Sequence, residues 1–179
     1  MIVGQKTRLR AIEREDIPTF VRWFNDPEVR RYLEMYLPMS KAEEEAWFEA
    51  RLKDQSCRIF AIETEEGAHI GNIGLHDLDW RNRNAGLAIA IAEKEYWGRG
   101  YGRDAIITLL DFAFNEMNLH RIYLSVFDFN TRAIRCYEKC GFRHEGRARE
   151  AFFQDGKYHD NLLMSILREE FVSETSPTE

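Results

Sequence analysis

Residues 85–102 read Ala85-Gly86-Leu87-Ala88-Ile89-Ala90-Ile91-Ala92-Glu93-Lys94-Glu95-Tyr96-Trp97-Gly98-Arg99-Gly100-Tyr101-Gly102. The first eight are almost wholly apolar, which predicts a strand covered on both faces. Gly98, Gly100 and Gly102 then alternate, and Ala105, Ile106, Leu109, Leu110, Phe112 and Ala113 follow at helical spacing. Glycines between a strand and a helix let the backbone approach an anion closely. The free N–H groups and dipole of the helix start then attract it. Arg99 and Arg103 add positive charge on the same turn. The plainer reading is a tight turn with surface arginines; two arginines and a following helix favour anion binding.

A dinucleotide site is the obvious rival. Its last glycine would fall where Arg103 stands, and its acidic residue would close the next strand, where Asp128 sits somewhat late. Too few strand–helix units follow the loop for a doubly wound fold. A G-K-[ST] phosphate loop is absent.

Outward from this stretch, strands and helices alternate. Residues 6–12 alternate Leu9 and Ala11 with Arg8 and Arg10, an edge-like strand. Residues 16–24 carry apolar side chains at helical spacing, and Asp26-Pro27 restarts a short helix. Ser40-Lys41-Ala42-Glu43 is a capping box before a third helix, with Ala46, Trp47, Ala50 and Leu52 inward. Glu43, Glu44 and Glu45 suit the negative charge favoured in a first turn. Strands are expected over 58–64, 70–78 and 120–127, and a helix capped by Asn130 ends at Gly141. Strands 142–153 and 157–167 flank Asp155-Gly156, a strong hairpin signal. The fold class is α/β: a single domain over 1–172 with a mixed, mostly antiparallel sheet and helices on both faces, then a polar tail at 173–179.

The chain has 179 residues, 44% hydrophobic and 31% charged, enough for one core and incompatible with global disorder. No apolar run approaches the roughly 18 residues of a membrane span, and the N-terminus has no secretory h-region. A formal charge of −6 argues against a nucleic-acid binder that works by overall positive charge. It suits a cationic substrate weakly. Three cysteines, at 57, 136 and 140, make no disulfide framework and no four-ligand zinc set. The expectation is a reduced, cytoplasmic setting with no metal, nucleic-acid or membrane partner.

At the glycine loop the chain resembles the Gcn5-related N-acetyltransferases (GNAT), whose signature is [QR]-x-x-G-x-[GA]. Trp97 stands at its first position, a departure that resembles the branch containing ribosomal-protein-alanine N-acetyltransferases. Asn130-x-x-Ala133-Ile134-x-x-Tyr137-x-x-x-Gly141-Phe142 resembles a second family segment. Leu9-Arg10-Ala11-Ile12-Glu13-Arg14-Glu15-Asp16 and the segment from Glu145-Gly146 to Lys157-Tyr158 also resemble bacterial spermidine N-acetyltransferases. The resemblance runs from about residue 6 to residue 168.

It implies acetyl transfer from acetyl-CoA to an amine by direct attack: a protein N-terminus, a polyamine or another small amine. It implies Tyr137 as the general acid. It implies Ile89, Ala90 and Ile91 along the pantetheine, with Trp97, Gly98, Arg99, Gly100, Tyr101, Gly102, Arg103, Asn130 and Ala133 around the rest of the cofactor. The strand at 85–92 would splay from its neighbour to pair with the pantetheine. A homodimer through sheet edges or the C-terminal hairpin is compatible with such a fold. Gly86 stands where relatives often carry Glu, so the base is open: His76, Asp77, Asp79, Glu63, His120 and Glu150 are candidates, with His76 able to titrate near neutral pH. A non-catalytic acyl-CoA sensor and a nucleotide-binding module are the alternatives. Cys136 and Cys140 read as buried small residues, and Tyr32, Tyr36 and the tryptophans at 23, 47 and 80 as core or acceptor wall.

Overall fold

The computed structural model describes residues 1–171. They form an eight-stranded sheet with helices. The strands are β1 (Ile2–Val3), β2 (Thr7–Ala11), β3 (Arg58–Thr64), β4 (His69–Asp79), β5 (Asn84–Ile91), β6 (Arg121–Phe127), β7 (Arg143–Gln154) and β8 (Lys157–Leu167). The helices are α1 (Ile17–Phe24), α2 (Pro27–Arg30), α3 (Lys41–Lys53), α4 (Tyr101–Asn115) and α5 (Thr131–Lys139). The tail expected at 173–179 lies outside the described residues.

Sheet order is β1-β2-β3-β4-β5-β6-β8-β7. Every neighbouring pair is antiparallel except β5 and β6, which run parallel. A parallel pair needs a crossover, and the glycine loop and α4 supply it. The strand expected at 6–12 is not an edge. The two-residue β1 pairs outside it, and Leu9 and Thr7 are fully buried. So short a strand leaves no periodic signal in the sequence.

Local chemistry sets most boundaries. Asp26 accepts from Glu28 N at 2.8 Å to start α2. Ser40 and Glu43 close their capping box over α3, with Ser40 N donating to Glu43 Oε2 at 2.9 Å. In the β7–β8 turn Asp155 and Gly156 have φ 51 and 75, the paired positive values of a type I′ hairpin. Arg10 on β2 forks onto Asp16 at 2.7 and 2.8 Å, and its Nε donates to Glu63 at 2.6 Å, tying α1 to the sheet.

The apolar side chains form two clusters. The larger lies where α4 and α5 meet the sheet, around Leu9, Ile73, Leu75, Leu109, Phe114 and Ile122. The smaller, around Phe20, Trp23, Val29 and Ala92, lies under the N-terminal helices. Here α3 departs from expectation. Its buried residues are Glu44 and Phe48, with Trp47 half-buried, whereas Ala46, Ala50 and Leu52 are exposed. Aromatic rings bury far more area than alanines and choose the face. Glu44, one turn before Phe48, is carried inward with them. No helix among the described residues is long and apolar enough to cross a membrane.

Candidate active site

The backbone of β5 opens the cleft. Asn84, Ala85 and Gly86 pair with Arg121, Ile122 and Tyr123 of β6, and pairing then stops. Leu87–Ile91 keeps its bonds to β4 but has no strand partner on the β6 side. The two strands diverge around a cavity of about 980 Å³, lined by Leu87 to Ile91 on one wall and Leu124 to Phe127 on the other. That volume is at the upper end of the roughly 300–1,000 Å³ of small-molecule sites.

This corrects the expectation that both faces of the 85–92 strand are covered. Ala85, Gly86 and Leu87 are buried, but Ala88 is exposed and Ile89, Ala90 and Ile91 are half-buried at the cavity. The apolar pattern marks a ligand wall as well as a core strand. Backbone N–H and C=O groups left without a strand partner beside apolar side chains fit an extended amide-bearing arm such as pantetheine.

One end of the cleft is the glycine loop. Gly98 and Gly100 hold φ 73 and 90, values costly for a side-chain-bearing residue, and Gly100 caps α4. Gly98, Gly100, Gly102 and Arg103 line the cavity. Arg99 and Tyr101 do not: the Arg99 carbonyl accepts from Lys6 Nζ at 3.2 Å, and Tyr101 packs edge-on against Tyr96. Their place in the expected cofactor set is the loop's outer side. Asp104, in the first turn of α4, is kept from opposing an anion by its own partners. It accepts from Gln5 N, Lys6 N and Thr7 N, and from the Thr7 hydroxyl at 2.7 Å. Nothing in the local sequence flags this latch, because its partners lie nearly a hundred residues away.

Trp97 has a specific task in place of the family's Gln or Arg. Its indole N–H donates to Ile91 O at 2.6 Å, tying the loop to the end of β5. The Arg132 guanidinium lies over its ring at 3.9 Å and over Tyr32 at 5.2 Å, and the two rings meet edge-on. This clamp joins the segment after α2 to α5 across the cleft mouth, and cation–π contacts of this kind are worth about 0.5–2 kcal/mol.

The α5 helix supplies the facing side. Asn130 caps it, accepting from Ala133 N at 3.3 Å. Asn130, Ala133, Cys136 and Tyr137 all line the cavity, as their spacing on one helix face requires. Tyr137 is buried. Burial, and then the adjoining Cys136 and Cys140, push its hydroxyl well above the usual phenol range, so it carries its proton at any physiological pH. Of the two cysteines only Cys140 is buried; Cys136 reaches the cleft wall, and its hydrogen bond with Cys140 lowers its thiol. No group of three His, Cys, Asp or Glu among the described residues could hold a metal ion.

The other end holds His76 and Tyr123, which meet edge-on. Of the six base candidates, His76 alone lines the cavity. Glu63 is taken by Arg10, and Asp79 by Asn82 at 2.7 and 2.9 Å. Asp128, the acid a dinucleotide site would need, instead lies against His159 and the backbone of β8. Of the residues expected as acceptor wall, Tyr32 lines the cleft, whereas Trp23 is core and Tyr36 and Trp80 face solvent. Glu34 lies in the cavity wall unanticipated, the one carboxylate among the described lining residues.

Comparison with known proteins bears on the same elements. A family model described as "Acetyltransferase (GNAT) domain" matches residues 6–143. The chain is 34% identical to spermidine N(1)-acetyltransferase of Vibrio cholerae, over 96% of this chain and 98% of that protein. It is 33% identical to the prophage-derived, uncharacterized N-acetyltransferase YokL of Bacillus subtilis, over 94% and 93%. The crystal structure of the Vibrio cholerae spermidine N-acetyltransferase with CoA and spermine superposes at a TM-score of 0.86, over 92% of this chain and 96% of that one.

Proposed function

The chain belongs to the GNAT acetyltransferase family and is an acetyl-CoA-dependent amine N-acetyltransferase, and on that premise we propose that it acetylates a polyamine within this cleft, with Tyr137 as general acid. The observation that carries the site assignment is the divergence of β5 from β6 directly below the glycine loop. Leu87–Ile91 offers backbone groups to the pantetheine amides, with Ile89, Ala90 and Ile91 in contact and a strand N–H aimed at the developing oxyanion. Gly98, Gly100, Gly102 and the start of α4 receive the pyrophosphate, and Trp97 and Arg103 complete that end. Asn130 and Ala133 take the cofactor from the α5 side.

Acetyl-CoA supplies an activated acyl group. The protein must position an amine, stabilise the oxyanion and protonate the departing sulfur. The Tyr137 hydroxyl, protonated and buried in the cleft wall, suits the last task. The polyamine class is supported by the relatives named for spermidine, by Glu34 in the cavity wall and by the overall negative charge. A reduced cytoplasmic setting agrees with three free cysteines, and a homodimer through the sheet edge or the β7–β8 hairpin belongs to the same reading.

Thiol release from acetyl-CoA with a panel of spermidine, N-terminal peptides and aminoglycosides tests the assignment. Spermidine is expected to give the highest kcat/KM, and Glu34→Gln to raise its KM several-fold. Preference for a peptide N-terminus would replace the polyamine reading.

A further inference from the structure

We propose that His76, oriented by Asp77 and admitted by Gly86, is the general base that takes the proton from the acceptor amine; the proposal rests on the acetyl-transfer reading above. Three observations on three strands converge on it.

The first is space. Gly86 pairs directly with His76 across β4 and β5. A Cβ on residue 86 would lie 2.1 Å from His76 Cε1, 2.5 Å from Nε2 and 2.7 Å from Nδ1. The imidazole therefore lies flat against the glycine, in the volume that any side chain at 86 would occupy. A side chain at 86 would displace the imidazole from where it lies, so the glycine is what admits the ring there.

The second is orientation. Adjacent side chains of a regular strand point to opposite faces. Between His76 and Asp79 the β4–β5 register shifts, and Asp77 adopts φ 51. The bulge turns the Asp77 side chain back, so that its Oδ2 lies 2.8 Å from His76 Nδ1. A carboxylate can only accept, so Nδ1 carries the hydrogen and the neutral ring keeps its lone pair on Nε2. That nitrogen has no hydrogen-bond partner among the described residues. A left-handed Asp at a bulge costs energy, and such strain collects at functional sites.

The third is placement. His76 lines the same cavity as Tyr137, Ile89 and Ala90, and Tyr123 meets its ring edge-on at 6.2 Å. The charged and titratable groups around it are Asp77 on β4 and Tyr123 on β6. Arg121 lies over the Tyr123 ring, with Glu145 paired to it. β5 presents only Gly86 there.

The step balances. The ammonium gives one proton to His76 Nε2, and Asp77 steadies the imidazolium. The freed lone pair adds to the thioester carbonyl carbon as the C=O π electrons move to oxygen, and when the C=O re-forms the C–S bond breaks with its electrons on sulfur. Tyr137 gives the sulfur a proton and is reprotonated by the second proton leaving nitrogen; the first passes from His76 to solvent.

The test is thiol release with spermidine between pH 6 and 10 for wild type, His76→Gln, Asp77→Asn and Gly86→Ala, with acetyl-CoA affinity by calorimetry as the check on folding. His76→Gln is expected to lose on the order of 10²-fold in kcat at pH 7. Its loss should shrink as alkaline pH deprotonates the amine directly, with acetyl-CoA affinity unchanged. Gly86→Ala, which displaces the ring, should reproduce it; Asp77→Asn should shift the acidic limb of the profile and lose less. A further variant, His76→Ala, should lose as much as His76→Gln and be partly restored by imidazole in solution. A His76→Gln enzyme within threefold of wild type across the range overturns the base assignment alone. A wild type that releases no thiol with any amine overturns the acetyl-transfer reading and this proposal with it.

Discussion

The two ends of the cleft are built from different material. At the phosphate end the protein offers backbone: two glycines in the left-handed region, the start of α4 and the β5 edge without a strand partner. At the acceptor end it offers side chains, His76 and Tyr123, set by a bulge in β4. Backbone recognition tolerates most changes of side chain and fails when a glycine is replaced. Side-chain recognition fails one group at a time and is free to change acceptor. One fold thus keeps its donor while its acceptor chemistry varies.

That division predicts the most severe loss at Gly100. Gly100→Asp puts a side chain on φ 90 and a negative charge at the proposed pyrophosphate site, and calorimetry should find acetyl-CoA affinity lost by 10²-fold or more. Unchanged affinity would mean that the loop is a turn and nothing else. Next comes Tyr137→Phe, expected to lower kcat by on the order of 10²-fold while acetyl-CoA affinity stays within about twofold. Equal losses in both would make Tyr137 a packing residue.

A smaller effect is expected in α3, among the N-terminal helices. Burial pushes the Glu44 carboxyl up to about 7, and its Oε1 has no hydrogen-bond partner among the described residues. Between the unfolded value near 4.3 and 7 the folded protein holds a proton that the unfolded chain releases, so stability falls as pH rises through that window. Glu44→Gln should raise Tm by several degrees at pH 8, on the order of 1–3 kcal/mol, and change it little at pH 4. The smallest loss is expected at the Arg132 clamp beside the glycine loop. Arg132→Ala removes the stack on Trp97 and Tyr32 and should weaken acetyl-CoA severalfold, read by the same titration.

The phosphate end was legible in the sequence because its signal is local. A strand, three glycines and a helix occupy consecutive residues, and Asn130 and Tyr137 share a helix face by spacing alone. The acceptor end depends on register. Gly86 reads as a lost carboxylate until β4 is paired with β5, and only then does it become the room that His76 fills. Glu44 lies in the first turn of α3 as expected, but its burial depends on distant contacts, since Trp47 and Phe48 fix the buried face of α3 and that helix packs on α1. The Asp104 latch and the Arg132 clamp join segments distant in the chain, and no spacing rule reports such pairs.

The most direct measurement of this division combines both chemical groups of the cleft. Acetyl-CoA is titrated calorimetrically into the His76→Gln/Tyr137→Phe double variant, and thiol release with spermidine is followed on the same sample. We expect wild-type affinity for acetyl-CoA together with turnover reduced by more than either single change. Affinity lost in step with turnover would contradict a backbone-held donor and a side-chain-driven reaction.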